Sequence, residues 1–176
     1  MEAVSRVHNT RWSFALGAEI SDSLYLMPGA LYMGNEVREV KTLLGSCVAV
    51  TLWHPKDRVC SMTHIVLPSG RDDENNPKFA TGAIQHLMNT ISRYGYRSKD
   101  FQTGVYGGGR MFGIDNEPRV IDVGDSNVKK TLTLLKEAGF RVQKQDVRGR
   151  VYRHVLMDRN TGDVRVKSTE ISATMT

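Results

Sequence analysis

Two side chains in the stretch Lys41 to Pro68 have the chemistry of a nucleophile and its base: Cys47, which follows a Gly45-Ser46 step, and His64. A thiol is ordinarily protonated at neutral pH, and a neighbouring imidazole can favour the thiolate. The residues between them read as a β-hairpin. Val48 to Trp53 is apolar and β-branched, as is much of Val59 to Leu67, and His54-Pro55-Lys56-Asp57 has turn chemistry with Pro at its second position. With those four residues as the loop, Trp53 pairs with Arg58 and Cys47 pairs with His64. Directly opposed residues share one face, with Cβ atoms roughly 4.5–5.5 Å apart. A slip of one residue would separate the two side chains. Buried Cys and His residues in apolar strands are also ordinary core residues. Two details favour chemistry. Cys47 sits where a turn enters a strand, and His64 is carried inward by Ile65-Val66-Leu67-Pro68, where an imidazole needs a partner.

The surrounding elements must position this pair. Leu24 to Met33, broken by Pro28-Gly29, predicts a strand, a turn and a second strand. Asn76-Pro77 predicts a helix start. Phe79, Ala83, Ile84, Leu87, Met88 and Ile91 recur at helical spacing, with Gly95 as the C-terminal cap. Phe101 to Tyr106 reads as a strand entering Gly107-Gly108-Gly109. That run lacks the Gly-Lys-Ser/Thr ending of a phosphate-binding loop, so it is either a flexible turn or backbone that closely approaches a substrate. Asp125 or Ser126 caps a second helix with Val128, Leu132, Leu135 and Ala138 on one face and Gly139 at its end. Arg141 to Val147 and Val151 to Met157 read as strands, and Asn160-Thr161-Gly162 turns into Asp163 to Lys167. His86 falls on the polar side of its helix and His154 alternates with apolar neighbours; both read as structural. Val48, Val50 and Leu52 point one way, and Ala49, Trp53, Met62 and Val66 the other. A sheet apolar on both faces predicts a layered α/β sandwich with a mixed β-sheet core and the helices outside.

Composition bounds the function. The chain has 176 residues, 40% hydrophobic and 24% charged, with a net charge of +5. That is the size of one domain with a real core. Its Lys and Arg residues are scattered and form no cluster interleaved with aromatics, so nucleic-acid binding is not expected. The basic surface suits an acidic partner or simply solvent. No run of about eighteen apolar residues exists to span a membrane, and Met1 to Ile20 lacks the apolar centre of a secretory signal. In the hairpin register above, Cys47 and Cys60 lie about 13 Å apart along the strands, too far for a disulfide. Both are expected to be reduced thiols in the cytoplasm. No cofactor motif and no metal-ligand cluster is visible.

The run LGSCVAV followed at this distance by His64-Ile65-Val66-Leu67-Pro68 resembles the CheD family of chemoreceptor glutamine deamidases. The resemblance extends to Tyr25-Leu26-Met27-Pro28-Gly29, Leu31-Tyr32-Met33, Gly107-Gly108-Gly109-Arg110-Met111-Phe112, Asp125-Ser126-Asn127-Val128 and Asn160-Thr161-Gly162, covering roughly Leu24 to Lys167. It implies a deamidase domain over 24–176, with 1–23 as an N-terminal extension, and agrees with the layered α/β fold. It implies a protein-glutamine glutaminase with Cys47 as nucleophile, His64 as base and acid, and Thr42, shortly before the Cys, orienting the imidazole. It implies methyl-accepting chemotaxis receptors as substrates and the CheC phosphatase as a possible partner. It also places a Gly-Gly…Met-Phe segment near the site. Two other classes compete: a non-catalytic binding module for receptor or CheC, and an unrelated thiol hydrolase acting on small amides or peptides.

Overall fold

A computed structural model describes residues 21–71, 73–111 and 122–171. In chain order the described elements are β1 (Ser21–Tyr25), β2 (Leu31–Gly34), β3 (Val37–Leu44), β4 (Val48–His54), β5 (Val59–Thr63), α1 (Ala80–Arg93), β6 (Gln102–Gly107), α2 (Val123–Glu137), β7 (Val142–Val147), β8 (Val151–Asp158) and β9 (Val164–Glu170). Most of the expected extension, 1–20, lies outside the described residues, as does Phe112. Its last three residues, Ser21 to Ser23, belong to β1.

The strands form two sheets, in the orders β1-β3-β8-β9 and β2-β5-β4-β6-β7. The β1–β3 and β6–β7 pairs are parallel and the others antiparallel. Alternation along β4 explains the layering. Val48, Val50 and Leu52 face Ala83, Ile84 and Leu87 of α1 and Val128 and Leu135 of α2. Ala49 faces the other way and joins Met62, Tyr106, Val40, Leu44, Val155 and Met157 in a second core between the two sheets. The layered α/β sandwich is therefore sheet on sheet on helices. Both helices cover one face of the five-stranded sheet, and the four-stranded sheet covers the other. Among the described residues no helix is long and apolar enough to cross a membrane.

Gly95 and Gly139 end their helices with φ of +77° and +80°, and the N–H groups of Tyr96 and Phe140 return to Ile91 O and Leu135 O, the bonding of a left-handed helix stop. The helix starts differ from expectation. Asn76 Oδ1 accepts the Lys78 N–H and builds a turn ahead of α1, whose first flanking residue, Phe79, makes no side-chain cap. Packing compensates. Fully burying Leu87 and Ile91 contributes roughly 1.5–3 kcal/mol each, more than the ~1 kcal/mol of a cap. For α2 the cap is Asp122, whose carboxylate accepts the Asp125 N–H, ahead of both expected caps, Asp125 and Ser126.

The strand, turn and strand expected over Leu24 to Met33 are present as β1, the Pro28-Gly29 turn and β2, and the two strands do not pair with each other. β1 joins β3 in one sheet and β2 joins β5 in the other, so Leu26 to Ala30 crosses between sheets. The β4–β5 loop is Pro55 to Arg58, one residue later than expected, and the register pairs Trp53 with Cys60. His54 stays in the strand because its Nδ1 accepts the Asp57 N–H and its ring packs on Tyr96 and Phe101. Arg58, at φ +51°, closes the loop.

Candidate active site

β3 alternates, so Val40, Thr42 and Leu44 are buried towards the facing sheet while Leu43 points out. On that facing sheet the β4–β5 ladder is interrupted where Thr63 Oγ1 takes the Val50 N–H, and it resumes as a single bridge between Val48 and Ile65. His64 occupies the interruption. Its backbone turns instead to the crossover: the His64 N–H donates to Ala30 O and the Gly29 N–H donates to His64 O. The same crossover holds β3, where the Leu26 N–H donates to Lys41 O. One short segment thus ties the strand carrying Thr42 to the residue carrying the imidazole.

The outcome is a buried hydrogen-bonded pair. Thr42 Oγ1 lies 2.7 Å from His64 Nδ1 and donates to Leu26 O at 2.8 Å. A hydroxyl has one proton, and the Leu26 carbonyl can only accept. The Thr42 proton therefore points to Leu26, and the Thr42 oxygen accepts from His64 Nδ1–H. That assignment leaves Nε2 unprotonated. His64 is 2% exposed. Burial lowers its pKa, with the Leu26 carbonyl opposing in part, so the imidazole is neutral at neutral pH.

Cys47 is half-buried and immediately precedes β4. With Val48 opposite Ile65, Cys47 falls opposite Val66, and His64 is its diagonal neighbour. The register differs by two residues from the one expected, and a shift of two keeps both side chains on one face. Such diagonal neighbours lie roughly 7–8 Å apart, within reach of long side chains. Burial pushes the Cys47 thiol above its ordinary value. The resting pair is therefore neutral thiol and neutral imidazole, not the lowered thiol that adjacency to a His suggests from sequence. Cys60 is fully buried, its thiol pushed up to about 12 mainly by burial, and both cysteines are free.

The glycine run supports Cys47. The Gly108 N–H donates to Cys47 O at 2.7 Å and the Gly109 N–H to Gly45 O at 2.8 Å. A Cβ at Gly107, whose φ is +105°, would collide with the Cys47 carbonyl oxygen, and one at Gly108 with Val128. The run is no free turn: its backbone packs closely against the Cys47 loop and the start of α2. Met111 packs over Gly45 and Gly109. Asn127, named from sequence only within the run Asp125-Ser126-Asn127-Val128 and given no role there, is fully buried and donates from Nδ2 to Ser46 O and Val66 O, both at 2.9 Å. An Asn on the apolar side of a helix, one residue from Val128, was the available signal. His86 caps Asn75 O, and His154 is exposed on the outer face of its sheet; neither joins the pair. Among the described residues no group of three His, Cys, Asp or Glu could hold a metal ion.

Known proteins are similar in sequence to this chain over most of its length. A family profile described as CheD chemotactic sensory transduction matches residues 66–168, beginning two positions beyond His64. A probable chemoreceptor glutamine deamidase of Albidiferax ferrireducens is 32% identical over 80% of this chain and 84% of its own. One from Pseudomonas savastanoi pv. phaseolicola is 32% identical over 85% of this chain and 86% of its own. An archaeal one, from Methanococcus maripaludis strain C5, is 33% identical over 79% of this chain and 90% of its own.

Proposed function

This chain belongs to the CheD family, and from that premise we propose that it is a cysteine-dependent protein-glutamine deamidase that converts selected glutamines of chemotaxis receptors to glutamates and releases ammonia. The relatives' names support the reaction and the substrate class. The observation that carries the catalytic reading is the Thr42–His64 hydrogen bond, which holds a neutral imidazole with Nε2 free to take a proton. Deamidation asks for that group.

Cys47 Sγ attacks the carboxamide carbon as His64 Nε2 takes the thiol proton. A neutral starting pair makes this general-base assistance concerted with attack, since a thiol raised by burial does not ionise first. The oxyanion that forms is met by the Cys47 N–H, which donates to no backbone carbonyl among the described residues. One such donor is worth about 2.7–4 kcal/mol in a characterised enzyme. Protonated His64 then gives its proton to the departing nitrogen, and ammonia leaves. A thioester remains. Water attacks it while Nε2 takes a proton, the carbon–sulfur bond breaks, and that proton returns to sulfur as the glutamate side chain departs.

The test is mass spectrometry of a purified receptor cytoplasmic domain incubated with this protein, beside Cys47→Ala and His64→Ala controls. Conversion of glutamine to glutamate at discrete positions, lost in both controls, is expected. Full activity in either control would end the mechanism. Binding without conversion would favour a non-catalytic binding module.

A further inference from the structure

We propose that Asn127 is a positioning residue for the Cys47–His64 pair, acting as a clamp at the fork where the strands carrying the two side chains part. The inference rests on the catalytic reading above and adds a residue to it. The fork is visible in the backbone. Val48 and Ile65 exchange both N–H···O bonds, at 2.9 and 2.8 Å, and the pairing ends there. Beyond it the N–H groups of Val66 and Leu67 turn away to Lys78 O, and Leu67 O accepts from Ala80. The chain before Val48 follows the glycine run instead. Cys47 sits at the mouth of this fork, and His64 lies just inside it on the opposite strand.

Asn127 reaches into the fork from α2. Its two partners are carbonyl oxygens, which only accept, so the amide nitrogen must be the atom that faces them. Each of its two protons serves one branch: Ser46 O, adjacent to Cys47, and Val66 O, two residues from His64. Three successive carbonyls at the nucleophile are thereby fixed from three donors: Gly45 O by Gly109, Ser46 O by Asn127 and Cys47 O by Gly108. Only the Asn127 bond has a second arm on the other branch. The clamp is itself anchored, because Gly124, one turn earlier on α2, lies against the Gly108 and Gly109 carbonyls so closely that a Cβ there would clash with both.

The amide is a costly way to fill this space. Asn127 Oδ1 is buried and accepts nothing among the described residues, and an idle buried acceptor destabilises a fold. An apolar side chain would bind α2 to the core without that cost. What the amide supplies in exchange is a fixed span between the two branches, and displacement of a reacting group by about 1 Å can cost 100-fold in rate.

The experiment uses the full chain as wild type, His64→Ala, Asn127→Ala, Asn127→Asp and Thr131→Val. Thr131 is one turn along the same helix, fully buried, with an unpartnered Oγ1, so its variant controls for disturbing a buried polar group of α2. Two quantities are read: the pH profile of Cys47 alkylation by iodoacetamide, followed on its peptide, and kcat and KM for receptor deamidation. In Asn127→Ala the alkylation profile is expected to move onto that of His64→Ala. Its kcat is expected to fall about 100-fold with KM unchanged, while Thr131→Val keeps both. If the alanine variant does not fold, Asn127→Asp, of the same shape but without the amide donors, is read in its place. A folded Asn127 variant that keeps either the wild-type profile or the wild-type kcat overturns the proposal, as does an equal loss in Thr131→Val. If the wild type converts no receptor glutamine, the deamidase reading fails and the alkylation profile alone decides on Asn127. A wild-type profile identical to that of His64→Ala would overturn the pair and the clamp together.

Discussion

Thr42 on the four-stranded sheet and His64 on the five-stranded sheet meet across the sandwich at 2.7 Å, oxygen to Nδ1. The imidazole's orientation is thus set by the sheet that does not carry it. Thr42→Val keeps the shape and removes the hydroxyl, leaving Leu26 O and His64 Nδ1–H buried without that partner. The expected cost is about 1–3 kcal/mol of stability per orphaned group. A misoriented base should also cost about 100-fold in kcat. Thr42→Ser restores the hydroxyl and should recover most of the activity. Melting temperatures and deamidation rates of the two variants check this, and equal rates in Thr42→Val and wild type would remove Thr42 from the mechanism.

The depressed pKa of His64 makes a signed prediction about pH. Burial lowers it in the folded state, while the unfolded chain titrates near 6.5. Below about pH 6.5 the unfolded state binds the proton first, so stability falls as pH drops towards the folded-state value and is fully present above 6.5. Activity follows the same direction, because only the neutral ring can act as base. Its acid limb should lie below pH 6.5. Chemical denaturation and rate measurements across that window test both, with His64→Gln expected to flatten the stability slope. An acid limb centred above pH 6.5 would contradict the neutral resting ring.

The two thiols should differ sharply in reactivity. Cys60 is fully buried between the sheets with its pKa pushed to about 12, whereas Cys47 is only half-buried. Thiolate character and access govern alkylation. Iodoacetamide at neutral pH should therefore modify Cys47 alone in the native protein, and both residues after denaturation. Peptide mass mapping before and after unfolding reads this directly. Native modification of Cys60 would mean that the sheets part far more readily than their packing implies.

How far the site was legible follows from which forces set each part. The inward face of β4 and the glycine helix stops were readable, because alternation and left-handed glycine turns are local. The hairpin register was off by two because His54 is kept in its strand by Tyr96 and Phe101, more than forty residues downstream. The crossing of Leu26 to Ala30 between sheets was likewise invisible, since Pro28-Gly29 signals a turn but not where the second strand goes. Asn127 was missed for the same reason. Its partners, Ser46 and Val66, are 81 and 61 residues away, so its place beside Val128 on the apolar side of α2 could mark it as buried but not say what it holds.

The glycine run offers the last prediction. At Gly107 the backbone has φ +105°, and an added Cβ would strike the Cys47 carbonyl and press on Leu44 at 3.1 Å. The carbonyl cannot swing aside, because the Gly108 N–H holds it at 2.7 Å. Gly107→Ala must therefore move either β6 or Cys47. Overpacking of this kind costs about 1–3 kcal/mol, and the left-handed backbone adds about 1–2. Gly149→Ala is the control for the backbone effect alone. It has φ +79°, and its Cβ would meet only Val151 at 3.9 Å, an ordinary contact. Gly107→Ala should therefore lose more stability than Gly149→Ala and should also lose activity below its melting temperature. Comparable stability losses with normal activity in both would show that the run tolerates displacement and does not hold Cys47 in place.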